Sequence, residues 1–223
     1  MVNLQFKIHL LSDTTVGRGD GVSGLVDQEV QHDSFGFPYL RGRTLKGLLS
    51  EECDNVISTL PQPQKAYWWG IAARLFGVAG STLEAMGEMR VGNACLPNDL
   101  RQVVGYQLQQ PNSQLTKQEV LSTLTTIRRQ TAINPKTGAP EQNSLRSMRV
   151  ILRDLEFTAL LSFESTPTED MQNLLAVGTL ALRYLGESRN RGKGHVECKL
   201  YNETNQDITP NLAIQFHNKI EQS

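Results

Sequence analysis

Residues 2–12 alternate cleanly: Leu4, Phe6, Ile8 and Leu10 are apolar, while Asn3, Gln5, Lys7 and His9 are polar, which predicts a half-buried strand. From Thr44 the period changes. Leu45, Leu48, Leu49, Cys53, Val56, Ile57 and Leu60 recur at spacings of three and four and predict an amphipathic helix, closed by Pro61 and Pro63. A second helical stretch, AYWWGIAARLF, stops at Gly77. EMRVGNACLP (88–97) reads as a strand, and VILRDLEFTALLSFE (150–164) as one long strand. A further helix is announced by Thr166 as cap, Pro167 at its first position and Glu169 completing a capping box, and Gly186 stops it. HVECKLYN (195–202) follows as a strand. Between 98 and 123 the chain is polar, with one short helix expected from the capping box Thr116 to Glu119, and the tail after 202 shows nothing definite.

The predicted order is strand, helix, helix, strand, hairpin-like arm, strand, helix, strand. Without the additions, this is the β-α-β-β-α-β order of a ferredoxin-like fold of the α+β class. No linker or repeat divides the chain, so residues 1–223 are read as one domain with insertions.

Composition narrows the function classes. Twenty-two Lys and Arg oppose 23 Asp and Glu, a net charge of −1. No apolar run approaches the about 20 residues that span a bilayer. The first residues lack a small-residue cleavage site, so a cytoplasmic protein without membrane partners is expected. Three scattered cysteines argue against a disulfide framework or a zinc site, and the four histidines have no metal-ligand spacing.

Charge is nevertheless unevenly placed. From Arg128 to Arg153 the chain holds six basic residues and one acid, Glu141, around the turn-forming Asn134–Pro140. A basic hairpin of this kind complements phosphate backbone; the alternative is a solvated flap. Arg41, Gly42, Arg43 and Thr44, with Lys46 one turn in, sit where a helix N-terminus offers free N–H groups to a phosphate or is simply capped. The loop from Gly186 to Gly194 interleaves Arg189, Arg191 and Lys193 with three glycines, allowing close approach to a polyanion or making a flexible turn. Arg18 lies in a glycine-dense stretch, GRGDGVSG, that matches a dinucleotide fingerprint in letters but lacks the following helix. Tyr67, Trp68, Trp69 and Phe76 are read as core rather than as stacking surfaces for bases. Asp27, with Glu29 and Asp33 nearby, is a candidate to hold a divalent ion or orient a nucleophile, and otherwise a surface carboxylate.

Four stretches together resemble the RAMP superfamily, specifically the repeated backbone subunits of type III CRISPR effector complexes. Gly24–Asp33 (GLVDQEVQHD) is similar to the family's G-x-I-D-x-P-V-x-x-D segment, and Phe37–Gly47 (FPYLRGRTLKG) to its P-Y-I-P-G-S-S-L-K-G segment. Leu75-Phe76-Gly77 matches its L-F-G, and Gly186–Gly194 its glycine-rich loop. Glu29, Arg41 and Arg43-Thr44 depart from the family's prolines and paired serines.

The resemblance implies an RRM-like palm with an inserted β-hairpin thumb, about residues 124–150, that assembles with other subunits along a CRISPR RNA and binds single-stranded target RNA. It implies RNA contacts from Arg18, the Arg41–Lys46 segment, the thumb arginines Arg128, Arg129, Arg146 and Arg149, and the loop residues Arg189, Arg191 and Lys193. It also implies that Asp27 is the catalytic residue of a Mg2+-dependent cleavage of the target. A purely structural RNA-binding subunit is the alternative. A processing endonuclease of the same superfamily is a third reading, which lacks a histidine near the glycine loop.

Overall fold

The computed structural model describes residues 3–78, 86–141, 143–187 and 192–222. Strand β1 (Asn3–Leu10) runs up the centre of a four-stranded sheet in the order β2-β5-β1-β6, with β2 (Met89–Val91), β5 (Glu156–Phe163) and β6 (Val196–Tyr201). β1 is antiparallel to both neighbours, and β2 is antiparallel to β5. With α1 (Gly42–Ser58) between β1 and β2, and α5 (Glu169–Ala181) between β5 and β6, this is the ferredoxin-like topology.

The alternation in β1 is borne out: Leu4, Phe6, Ile8 and Leu10 point into the core. They meet Leu45, Leu49, Cys53 and Ile57, every fourth residue of α1, and Met171, Leu174 and Leu175 of α5. The core therefore lies between one face of the sheet and these two helices. α2 (Gln64–Phe76) packs outside them, burying Trp68, Leu75 and Phe76.

The arm is a two-stranded antiparallel hairpin of β3 (Thr125–Gln130) and β4 (Arg146–Ile151), entered from α4 (Lys117–Leu124), whose capping box at Thr116 and Glu119 forms as expected. The long strand read over 150–164 is in fact two. β4 ends at Ile151, Asp154 turns the chain with φ 66°, and β5 starts at Glu156 in the other sheet. The apolar residues on either side, Val150 to Leu152 and then Leu155 and Phe157, read as one strand because periodicity does not record a corner made by a single positive φ. The cap of α5 is Thr168, whose hydroxyl accepts from the N–H of Met171, two residues beyond the expected Thr166. α1 begins at Gly42 rather than Thr44.

Two helices stand outside the predicted order. α3 (Asn98–Leu108) rests on the core only through Val104 and Leu108 and carries Leu100, Val103 and Tyr106 exposed, so its apolar residues mark no single buried face. α6 (Thr209–Glu221) packs on α5, and Ile208, Leu212, Phe216 and Ile220 at four-residue intervals are the sequence signal for it. Phe216 seats its ring 4.5 Å from that of Trp68.

Candidate nucleic-acid interface at the hairpin base

Leaving β1, residues 14–30 make no helix, so the glycine-dense stretch has no dinucleotide-binding geometry. The segment instead runs along the free side of β4. Thr14 pairs with Ile151, and Gln28 pairs in parallel with Met148. The N–H of Asp27 donates to the carbonyl of Ser147 at 2.8 Å, and the N–H of Arg149 to that of Gln28 at 3.0 Å. Asp27 is exposed. Its Oδ2 accepts from the N–H of Ser147 at 2.6 Å and lies 3.3 Å from the Ser147 hydroxyl, while Oδ1 has no hydrogen bond among the described residues.

Two residues along, Glu29 and Arg149 form a buried ion pair, Nε to Oε1 2.8 Å, with side chains 3% and 5% exposed. Arg149 Nη1 also donates to Thr125 Oγ1 at 3.2 Å. The expectation that Arg149 contacts RNA is thus corrected: it faces inward and its charge is neutralised inside the protein. Neither residue announces this in sequence, because the partners lie 120 positions apart.

Further ion pairs, one long-range and one between neighbours, redistribute the charge around the arm. Arg128 donates to Asp13 Oδ2 at 2.7 Å, and Arg153 Nε lies 3.6 Å from Asp154. Arg129, Lys136 and Arg146 are exposed and make no ion pair among the described residues. Arg18 is half-buried at its loop and chelates Asp20, Nε to Oδ1 2.6 Å; that hydrogen bond holds the Asp20 carboxyl below its ordinary range.

An open cleft of about 710 Å3 at the hairpin base is lined by Leu11, Asp13, Arg128, Leu152, Arg153 and Lys193, among others. Lys193 reaches β4 here, Nζ 3.5 Å from Met148 Sδ. Lys193 of the loop, Arg128 of the arm and Arg153 just beyond it therefore share a groove. Arg189 and Arg191 lie outside the described residues.

The ends of the glycine-rich loop serve the chain's own packing. Gly186 and Gly194 adopt φ 76° and 73°, and a β-carbon on either would lie 2.1 Å from the carbonyl oxygen of Thr15 or 1.9 Å from that of Leu185. Only glycine fits these contacts.

At the start of α1 a second cleft, about 510 Å3, is lined by Gly42, Arg43, Lys46 and Arg90 together with Val78 and Met86. It shares no lining residue with the first. Arg41, Arg43 and Thr44 are exposed, as a phosphate contact requires. Gly42 is a correction: it is buried, its N–H donates to Asn93 Oδ1 at 2.9 Å, and a β-carbon there would lie 2.1 Å from the Val91 carbonyl. Asn93 is thus a helix cap supplied from a distant segment. Lys46 Nζ donates to the Met89 carbonyl at 2.9 Å; burial, assisted by the charge of Arg90, lowers its pKa.

On the open face of the sheet the central strands present Gln5, Lys7 and His9 from β1 and Thr158, Leu160 and Ser162 from β5. Trp68 and Phe76 are core, as expected, whereas Tyr67 and Trp69 are half-exposed on α2. Among the described residues no group of three or more His, Cys, Asp or Glu is placed to hold a metal.

The RAMP superfamily model matches residues 7–197, which take in the second half of β1, all of α1, β2, the hairpin, β5 and α5, the start of β6, and both clefts. The chain belongs to the RAMP superfamily. Two solved structures are similar in fold to this RAMP chain. One is a chain of a type III-B Cmr-beta complex bound to cognate target RNA, with TM-score 0.63, 14% identity and coverage of 95% of this chain and 99% of that one. The other is a chain of the apo state of type III-B Cmr-beta, with TM-score 0.58, 15% identity and coverage of 91% and 98%. Among curated proteins no significant sequence match is found.

Within this RAMP chain, each acid of the stretch 24–33 has its own partner. Asp27 holds Ser147 and Glu29 holds Arg149. Asp33 organises the turn before α1, with Oδ1 accepting from the N–H groups of Phe35 and Phe37 and Oδ2 from Arg101 Nη2 at 2.9 Å. Of the three, Asp27 alone is exposed.

Proposed function

We propose that this RAMP protein is a backbone subunit of a cytoplasmic type III effector complex, that it binds CRISPR RNA beside other subunits, and that Asp27 cuts the bound single-stranded target RNA. One observation carries the reading: an exposed carboxylate is tied through Oδ2 to the hairpin's own backbone, leaving Oδ1 directed away from that bond. The hairpin and the acid therefore move together, so a strand lying over Arg129 and Arg146 meets Asp27 in a fixed relation. The likeness to a Cmr-beta chain from a target-bound complex supports the same reading.

One anchored carboxylate with an open oxygen fits Mg2+, which binds through one or two carboxylates, substrate phosphates and water. Asp27 is the residue that would hold it, and when bound it supplies positive charge to the phosphate oxygens. The chain's task is positioning. With the sugar-phosphate backbone bent into line, the ribose 2′-oxygen loses its proton and attacks the adjacent phosphorus. The 5′-oxygen leaves and takes up a proton, giving a 2′,3′-cyclic phosphate and a 5′-hydroxyl. Held geometry of this kind supplies much of a rate enhancement.

The second reading, a non-catalytic RNA-binding subunit, is favoured by the two contacts Ser147 already makes to Asp27 Oδ2. Reconstitution with guide and complementary RNA separates the two. Asp27→Ala removes the anchor and the charge, whereas Asp27→Asn keeps an acceptor for Ser147. Loss of one cut in both variants, with guide binding retained, is expected; native cutting by Asp27→Asn would leave only the structural reading.

A further inference from the structure

The strand segment that carries Asp27 is attached to β4 by a single bridge, between Gln28 and Met148. Pairing this short specifies register weakly, and a slip by one residue would turn Asp27 to the other face. The side chains on either side of the bridge supply what the backbone lacks. Asp27 meets Ser147 before it, and Glu29 meets Arg149 after it.

The inner pair is the more constrained. Glu29 Oε1 accepts from Arg149 Nε at 2.8 Å and from the N–H of Val30 at 2.9 Å, so the carboxylate is fixed to its own backbone. Arg149 reaches on to Thr125 Oγ1, and that hydroxyl donates to the Leu121 carbonyl on α4 at 2.5 Å. A single chain of hydrogen bonds thus links the Asp27 segment, β4, β3 and α4. Stability alone does not call for it, since a buried ion pair is often replaced by apolar residues without loss. What apolar side chains cannot supply is direction: a carboxylate and a planar guanidinium meet in few geometries.

We infer that Glu29 and Arg149 are positioning residues, which hold the Asp27 segment in register with the hairpin so that the carboxylate meets the phosphodiester the hairpin presents. This rests on the reading that Asp27 cuts RNA. The pair touches no substrate and acts through Asp27.

The test uses the reconstituted complex with guide and complementary RNA, comparing native protein, Asp27→Asn, Arg149→Lys and the double variant Glu29→Leu/Arg149→Met. Thermal midpoint, guide and target affinity, single-turnover cleavage rate and the cut position at nucleotide resolution are measured. The double variant is expected to retain its midpoint and RNA affinity but to cleave about 10- to 100-fold more slowly, the loss that misplacement of about 1 Å produces. Its cuts should also spread to neighbouring phosphodiesters. Arg149→Lys keeps the charge but loses the fork to Thr125, and the same slowing is expected; it decides the matter should the double variant fail to fold. Native rate and a single cut position in a folded variant would overturn the positioning role while leaving Asp27 as the cutting residue. Native cleavage by Asp27→Asn would instead remove the underlying reading, and the positioning role with it.

Discussion

Gly178 of α5 faces Cys53 of α1 so closely that a β-carbon on Gly178 would lie 2.3 Å from Cys53 Sγ. The two central helices cross at this point, and burial pushes the thiol pKa well up, so Cys53 stays protonated and its S–H points at the Leu174 carbonyl, 3.5 Å away. Gly178→Ala gains about 1 kcal/mol of helix propensity but overpacks the crossing, at a cost of about 1–3 kcal/mol. The expected result is a net loss of stability that reverses in sign when Cys53→Ala makes room. Urea unfolding of the two single variants and the double variant checks this as a double-mutant cycle.

A second network joins α2, α5 and α6. Asp170 accepts from the Tyr67 hydroxyl and from Lys219. Burial is the largest single influence and raises the Asp170 pKa, but the hydrogen bonds from Lys219 and Tyr67, with the lysine's charge, outweigh it and leave the value lowered. A carboxylate lowered in the folded state stabilises fully above its unfolded value of about 3.9 and loses that contribution as pH falls through the folded value. Urea midpoints measured between pH 7 and pH 2.5 should therefore fall more steeply on the acid side for native protein than for Asp170→Asn.

The ring of Phe216 covers Trp68, which is 2% exposed. Phe216→Ala is expected to cost about 3 kcal/mol, within the range for buried aromatic truncations. Trp68 emission should shift to the red as water reaches the indole.

Among the arm arginines, burial separates two outcomes. Arg129→Ala and Arg146→Ala should leave the thermal midpoint unchanged, weaken RNA binding and reduce the slope of log K against log salt by about 0.7 for each phosphate that is no longer neutralised. Arg149→Ala should instead destabilise the fold by about 3–5 kcal/mol, because it strands the buried carboxylate of Glu29. Fluorescence anisotropy across a salt series, paired with thermal unfolding, distinguishes them.

Local periodicity was enough for β1, α1 and α2, because Leu4 to Leu10 and Leu45 to Ile57 state their buried faces within a few residues. The capping box at Thr116 was legible for the same reason. α3 was not, since only Val104 and Leu108 pack against the core while Leu100, Val103 and Tyr106 stay exposed, and the break at Asp154 is a single positive φ that no periodicity records.

The alternation of β1, the stripe of α1, the capping box of α4 and the presence of a hairpin arm follow from near-neighbour patterns, and the sequence determined them alone. Which cations stay open to a nucleic acid, which glycines serve packing, and how Asp27 is held were decided only by the tertiary structure. Arg149 and Arg146 are alike in composition and near neighbours in the chain, yet one meets Glu29 in the interior and the other meets solvent. A charge is set by its residue type; its availability depends on a partner that folding brings from 120 positions away.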